Sequence, residues 1–269
     1  GGVRCDQGSG NTSPLSHRLL VFISGATTLT VEIRSDVQLP AKREDITLTT
    51  VDGLTLVGEL AMPVSGEPVA TIVTLHPLPT HGGFMDSHIL RKAANRLPAL
   101  ANIAVLRFNT RGTSSPRGTS DGQFGEGLTE RHDVEAAVRF AKERGLKNIW
   151  LLGWSFGTEL TLKYGLEHEI SGAILLSPPL HRTSEDELQA WARNPKPLFA
   201  LIPEHDDYLK PVEAAIRFAS IPHVKLINVD GAKHLWVGES STKRVLDEVV
   251  AVINPGASPL PEFWTGDSA

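Results

Sequence analysis

The 269-residue chain is 41% hydrophobic and 21% charged, which suits a globular protein with a large core in one domain or two. Its net charge of −5 has no basic stripe, which excludes a nucleic-acid partner, and its single cysteine, Cys5, excludes an internal disulfide and any multi-cysteine metal site. No apolar run reaches the roughly 18 residues that span a bilayer, and 19–23 behind His17-Arg18 makes a poor leader, so the expectation is a cytoplasmic protein with no membrane span.

Residues 1–40 read as an N-terminal arm: 1–16, rich in Gly, Ser, Asn and Thr, as disordered, and 19–23 as a strand or loosely held segment. Segments 46–50 and 54–60 alternate apolar and polar residues about Asp52-Gly53, the pattern of a β-hairpin. From there buried strands alternate with amphipathic helices. A strand at 69–75 leads to a helix at 88–100, with Leu90, Ala93, Ala94 and Leu97 on one face and Pro98 expected to end it early. A strand at 103–108 precedes a helix at 129–144, striped by Val134, Ala137, Val138 and Ala141. Strands follow at 149–154, 170–176, 197–203 and 224–229, with helices from 157 to 164, 211–219 and 241–253; 254–269 reads as a non-regular tail.

This alternation predicts a mostly parallel, doubly wound α/β sheet of about eight strands, with the antiparallel N-terminal hairpin at its edge. The expected division is an arm at 1–40, an α/β domain at 41–255 and a tail at 256–269. The connection 179–196 holds only one short helix, at 184–191, so the lid is minimal or absent.

Gly153-Trp154-Ser155-Phe156-Gly157 stands between a buried strand and a helix, the context of a nucleophile elbow. Only small residues fit two positions either side of such a serine. The hydroxyl needs a base, and the base needs an orienting carboxylate. In a doubly wound sheet both sit on loops at the carboxyl ends of strands, in the order Ser, acid, His. The strand at 197–203 runs into Glu204-His205-Asp206-Asp207, so Asp206 is the expected acid, with Asp207 one residue away as the alternative. The last strand runs into Asp230-Gly231-Ala232-Lys233-His234, and His234 is the expected base. His223 lies at the wrong end of its strand, His132 and His168 in or after helices, and His205 is the only downstream rival.

A tetrahedral intermediate needs two N–H donors. The amide of Phe156 is one. The loop after 69–75 supplies the other, and since Pro77 and Pro79 have no N–H, Leu78 is the donor. His76 and His81 on this loop, Trp154 before the nucleophile and Trp191 in the short helix are the expected substrate contacts. The spacing of His76, His81 and His88 fits no compact metal motif, so neither metal nor cofactor is expected. Residues 109–118 lack the lysine and glycine spacing of phosphate loops and read as a structural turn.

Together these residues resemble the α/β-hydrolase family over 44–255. More narrowly, His76-Pro77-Leu78-Pro79 followed by Gly82-Gly83-Phe84-Met85-Asp86 resembles the H-P-x-P-x-x-G-G-x-M-D segment of small bacterial hydrolases akin to dienelactone hydrolases and short-acyl esterases. Phe108-Asn109-Thr110-Arg111-Gly112 and 118–133 are similar as well. The resemblance implies a fold with little or no lid, a triad of Ser155, Asp206 and His234, and oxyanion donors at Leu78 and Phe156. Serine in place of cysteine departs from dienelactone hydrolase chemistry, and the first forty residues match nothing in the family. The expected activity is hydrolysis of carboxylic esters, with a small-molecule acyl substrate as partner and the oligomeric state left open. Competing readings keep the triad but make a thioesterase, acyltransferase or peptidase, or keep only the fold as a binding module.

Overall fold

The computed structural model describes residues 18–23 and 26–266. The disorder expected of 1–16 lies outside them. The chain divides into two compact units, one of which spans Ser35–Leu260 and contains the eight-stranded sheet.

In chain order the elements are β1 (Arg18–Ile23), β2 (Ala26–Glu32), β3 (Lys42–Thr49), β4 (Thr55–Met62), β5 (Ala70–Leu75), α1 (His88–Ala101), β6 (Ile103–Phe108), β7 (Ser114–Ser115), β8 (Gly118–Thr119), α2 (Arg131–Glu143), β9 (Ile149–Trp154), α3 (Phe156–Tyr164), β10 (Gly172–Leu176), α4 (Glu185–Ala192), β11 (Leu198–Pro203), α5 (Pro211–Arg217), β12 (Lys225–Val229), α6 (Glu239–Ile253) and β13 (Phe263–Gly266). The large sheet has the order β12-β11-β10-β9-β5-β6-β4-β3. From β12 to β6 the pairing is parallel; β4 pairs antiparallel with both β6 and β3. β7 and β8 form a separate hairpin with two residues in each strand, over 114–119 at the end of the expected 109–118 turn.

The central strands β5, β6, β9, β10 and β11 are buried on both faces because helices cover both, and successive side chains point to opposite sides. In β9, Leu151 joins one core with Phe156, Leu160 and Trp191, while Leu152 and Trp154 join the other with Leu90, Leu97, Val245 and Val249. Trp154 and Trp191 therefore sit on opposite faces of the sheet. Between β10 and β11 the only helix is α4, whose N-terminus Ser184 and Glu187 close with a capping box.

Two expectations are corrected. Pro98 does not end α1, which continues to Ala101. The missing Pro98 N–H frees the Ala94 carbonyl, and Arg43 Nη1 donates to it at 3.0 Å. The tail is not wholly non-regular: Pro255–Ala257 forms a 3-10 turn, and β13 pairs antiparallel with β2, Trp264 opposite Val31. The Phe-Trp-Thr run of β13 has strand propensity, and the edge of β2 supplies its backbone partners. The second unit, comprising 18–23, 26–34 and 261–266 among the described residues, holds this three-stranded β1-β2-β13 sheet.

Candidate active site

β9 ends at Trp154 and α3 begins at Phe156, which leaves one residue to reverse the chain. Ser155 does so with φ 54° and ψ −113°, a conformation that a non-glycine residue seldom adopts. The turn closes only because its flanks lack side chains. A Cβ on Gly157 would stand 1.9 Å from the Leu75 carbonyl oxygen, and one on Gly153 would stand 2.4 Å from that of Gly157. Ser155 N–H donates to Leu176 O at 2.9 Å, tying the turn to β10.

The half-buried Ser155 Oγ lies 2.8 Å from His234 Nε2, and His234 Nδ1 lies 2.8 Å from Asp206 Oδ2. The three side chains form one hydrogen-bonded line drawn from the ends of β9, β11 and β12. Asp206 is 1% exposed, and its other oxygen accepts from the amides of Tyr208 at 2.7 Å and Leu209 at 3.2 Å. Burial alone raises the Asp206 carboxyl, but the hydrogen bond from His234 and those amides outweigh it and hold the group below the usual carboxylate range. Asp207 is exposed, and the half-exposed His205 ring faces Glu204 at 3.5 Å, so the structure brings neither to His234.

Phe156 is the first residue of α3, where an amide has no partner within the helix and the helix dipole favours negative charge. Leu78 heads the 3-10 turn Pro79–His81, and its carbonyl accepts from His81 at 3.0 Å and Gly83 at 2.9 Å. Beside this loop lies a cleft of about 470 Å³, bounded by Pro79, Phe84, Thr113 and Phe124 among others. The Phe124 ring, which lines the cleft, meets the Phe156 ring edge-on, centroids 5.4 Å apart.

No protein-family model matches the chain, and no curated protein matches it. Solved structures do. An α/β serine hydrolase homologue from Coxiella burnetii has a TM-score of 0.65 at 22% identity, with 78% of this chain and 97% of that one covered. A serine hydrolase without a lid from Xanthomonas campestris has a TM-score of 0.63 at 23% identity, covering 83% of this chain and 98% of its own. An esterase from Pyrococcus furiosus has a TM-score of 0.58 at 23% identity, covering 78% and 88%. This chain has the α/β-hydrolase fold.

Within this α/β-hydrolase fold, three of the four expected substrate contacts are buried and hydrogen-bonded inside the protein. Trp191 is fully buried beneath α3, its Nε1 donating to Leu162 O at 3.0 Å. Trp154, on the other face, donates Nε1 to the His234 carbonyl at 3.2 Å. His76 is 1% exposed and engages Pro77 O and Thr110. His81 alone is exposed, 3.1 Å from Thr80 Oγ1. Among the described residues, no group of three or more His, Cys, Asp or Glu is arranged to hold a metal ion. Arg111 is consumed internally by Asp52 and Asp133, each within 3.2 Å. No helix of the described residues is long and apolar enough to cross a membrane.

Sequence reasoning missed the residues that hold His234 in place. Ser177, at the end of β10 with φ 50°, donates Oγ to the His234 carbonyl at 2.9 Å. His88 Nε2 donates to the next carbonyl, Leu235 O, at 2.6 Å. Tyr208, exposed, sets its ring edge-on to His234 with centroids 4.7 Å apart. The nearest sequence signal was position: Ser177 and Trp154 each end a strand beside the serine turn.

Proposed function

We propose that the protein is a serine hydrolase acting on carboxylic esters through an acyl-enzyme. The observation that supports it is the unbroken line from Ser155 Oγ through His234 to Asp206, both contacts at 2.8 Å, on a strained turn that presents the hydroxyl. Ser155 Oγ attacks the ester carbonyl while its proton passes to His234 Nε2. Asp206, held ionised, fixes the Nδ1–H tautomer and balances the imidazolium that forms. The amides of Leu78 and Phe156 receive the oxyanion. His234 then gives its proton to the departing alcohol. In the second half it takes a proton from water as the water oxygen attacks the acyl carbon, then returns that proton to Ser155 Oγ as the bond to the acyl carbon breaks and the acid leaves. The likeness to an esterase fold from Pyrococcus furiosus, at 23% identity, agrees with the ester reading. With only α4 between β10 and β11, the site stays open to soluble substrates.

The test is a screen of p-nitrophenyl esters of increasing acyl length, run beside Ser155→Ala. The wild type should hydrolyse the short esters, and the variant should lose at least about a thousandfold in kcat. Matched thioester and anilide substrates separate an esterase from a thioesterase or peptidase. Equal activity of wild type and Ser155→Ala contradicts the proposal.

A further inference from the structure

We propose that His76 is a positioning residue of the oxyanion hole, acting through the Pro77 carbonyl on the Leu78 amide. The inference rests on the serine hydrolase reading above and assigns His76 a role other than touching substrate.

The protonation of the His76 ring follows from its partners. The Thr110 amide lies 3.0 Å from Nε2, and an amide N–H can only donate. Nε2 therefore offers its lone pair, and the proton resides on Nδ1. Nδ1–H donates to Pro77 O at 2.7 Å. Burial holds the imidazole neutral, its pKa lowered to about 4, so this tautomer persists across the working pH range.

The Pro77 carbonyl and the Leu78 N–H belong to one peptide unit. That unit is planar and trans, so its C=O and N–H point in opposite directions. A donor that fixes the carbonyl fixes the amide as well. By drawing Pro77 O towards itself, His76 turns the Leu78 N–H away from itself, to the side where the oxyanion forms. Without that bond the unit is free to rotate about its flanking φ and ψ angles, and the donor loses its aim.

The lever has a rigid base. Thr110 leaves β6 directly behind Asn109, whose amide donates to Val57 O at 2.8 Å. Asn109 Oδ1 accepts from Met85 N at 2.9 Å, so the far end of the same loop is tied to the same strand exit. Gly83 lies close against the same peptide: a Cβ there would stand 2.0 Å from Pro77 O and 2.9 Å from Leu78 N. Gly83 leaves the unit where it is, and any side chain there displaces it.

The two ends of the His76 ring, Nδ1 on Pro77 O and Nε2 on the amide and hydroxyl of Thr110, are separable. An asparagine places an amide nitrogen near the position of Nδ1 and can still donate to Pro77 O. A glutamine reaches the position of Nε2 and can accept from Thr110 but not restrain Pro77. Kinetics on p-nitrophenyl acetate and thermal unfolding are measured for wild type, His76→Asn, His76→Gln and Gly83→Ala. The expected result is a kcat about 10- to 100-fold lower for His76→Gln, with KM within about twofold. His76→Asn should keep kcat within about threefold even where its melting temperature falls. Gly83→Ala should lower kcat by a factor like that of His76→Gln with His76 intact, which shows that displacing this peptide costs turnover; if the histidine variants do not fold, nitrogen-15 NMR of the wild-type imidazole decides, a proton on Nδ1 with a bare Nε2 being expected and the reverse tautomer overturning the proposal. A merely structural His76 predicts lower melting temperatures with kcat unchanged in both histidine variants, and that result, or Gln outperforming Asn, overturns the proposal. Failure of the hydrolase reading itself is distinct: there wild type and Ser155→Ala hydrolyse the ester alike.

Discussion

The hydroxyl of Ser177 donates to the main-chain carbonyl of His234 at 2.9 Å. Trp154 Nε1 donates to the same oxygen at 3.2 Å, and His88 Nε2 to the Leu235 carbonyl at 2.6 Å. Asp206 orients the His234 ring, whereas these three donors fix the backbone that bears it. Burial pushes the His88 imidazole below its ordinary pKa, which keeps it neutral. Ser177→Ala leaves the carbonyl with one donor and should lower kcat about 3- to 10-fold with KM little changed. Trp154→Phe should do the same. Because both act on one atom, the double variant should lose more than the product of the two, which a double-mutant cycle reads directly. Strict additivity would mean that the two donors do not share a task.

Asp206 and Asp207 are adjacent in sequence and opposite in environment. Asp206→Asn should cost about 10³- to 10⁴-fold in kcat, because the amide no longer selects the Nδ1–H tautomer. Asp207→Asn, at an exposed position, should stay within about threefold. Steady-state kinetics on the two variants checks this, and the reverse ranking would displace Asp206.

Acid should weaken the fold through His76. Its pKa falls from 6.5 to about 4 on burial, so between those values the unfolded chain binds a proton that the folded protein refuses. Stability therefore drops as pH falls from 6.5 towards 4, and this group contributes no slope above that window. The full effect is on the order of 3 kcal/mol. Urea unfolding of wild type and His76→Asn at pH 7 and pH 4.5 should show the variant losing less stability on acidification. Equal losses would mean that His76 titrates normally.

Trp191 belongs to the core rather than the site. Trp191→Ala should destabilise by about 3–5 kcal/mol. Trp191→Phe should keep the order of preference among acyl chain lengths while lowering the melting temperature. A changed preference with an unchanged melting temperature would return Trp191 to the substrate.

The sequence made the sheet and the serine turn legible because both leave local marks. The run Ile149 to Trp154 is apolar at every position except a glycine, and glycine brackets Ser155 at the two places where a Cβ would strike backbone. Asp206 and His234 were legible by their place at strand ends. Side-chain direction was not. Trp154 adjoins the nucleophile in sequence, yet strand alternation turns its ring to the α1 and α6 face. His76 looked like a site histidine because it stands on the loop expected to carry the Leu78 donor, whereas the ring points back at Pro77 and Thr110. Ser177 was marked only by its place at a strand end, since its left-handed backbone cannot be seen in the letter. The pairing of β13 with β2 joins residues more than two hundred positions apart and has no local trace.

The most direct measurement is intact-protein mass spectrometry after treatment with a fluorophosphonate, followed by peptide mapping. The account predicts one stoichiometric adduct on Ser155, absent in Ser155→Ala and slowed strongly in His234→Ala. An unmodified protein, or an adduct on another residue that survives Ser155→Ala, would contradict it.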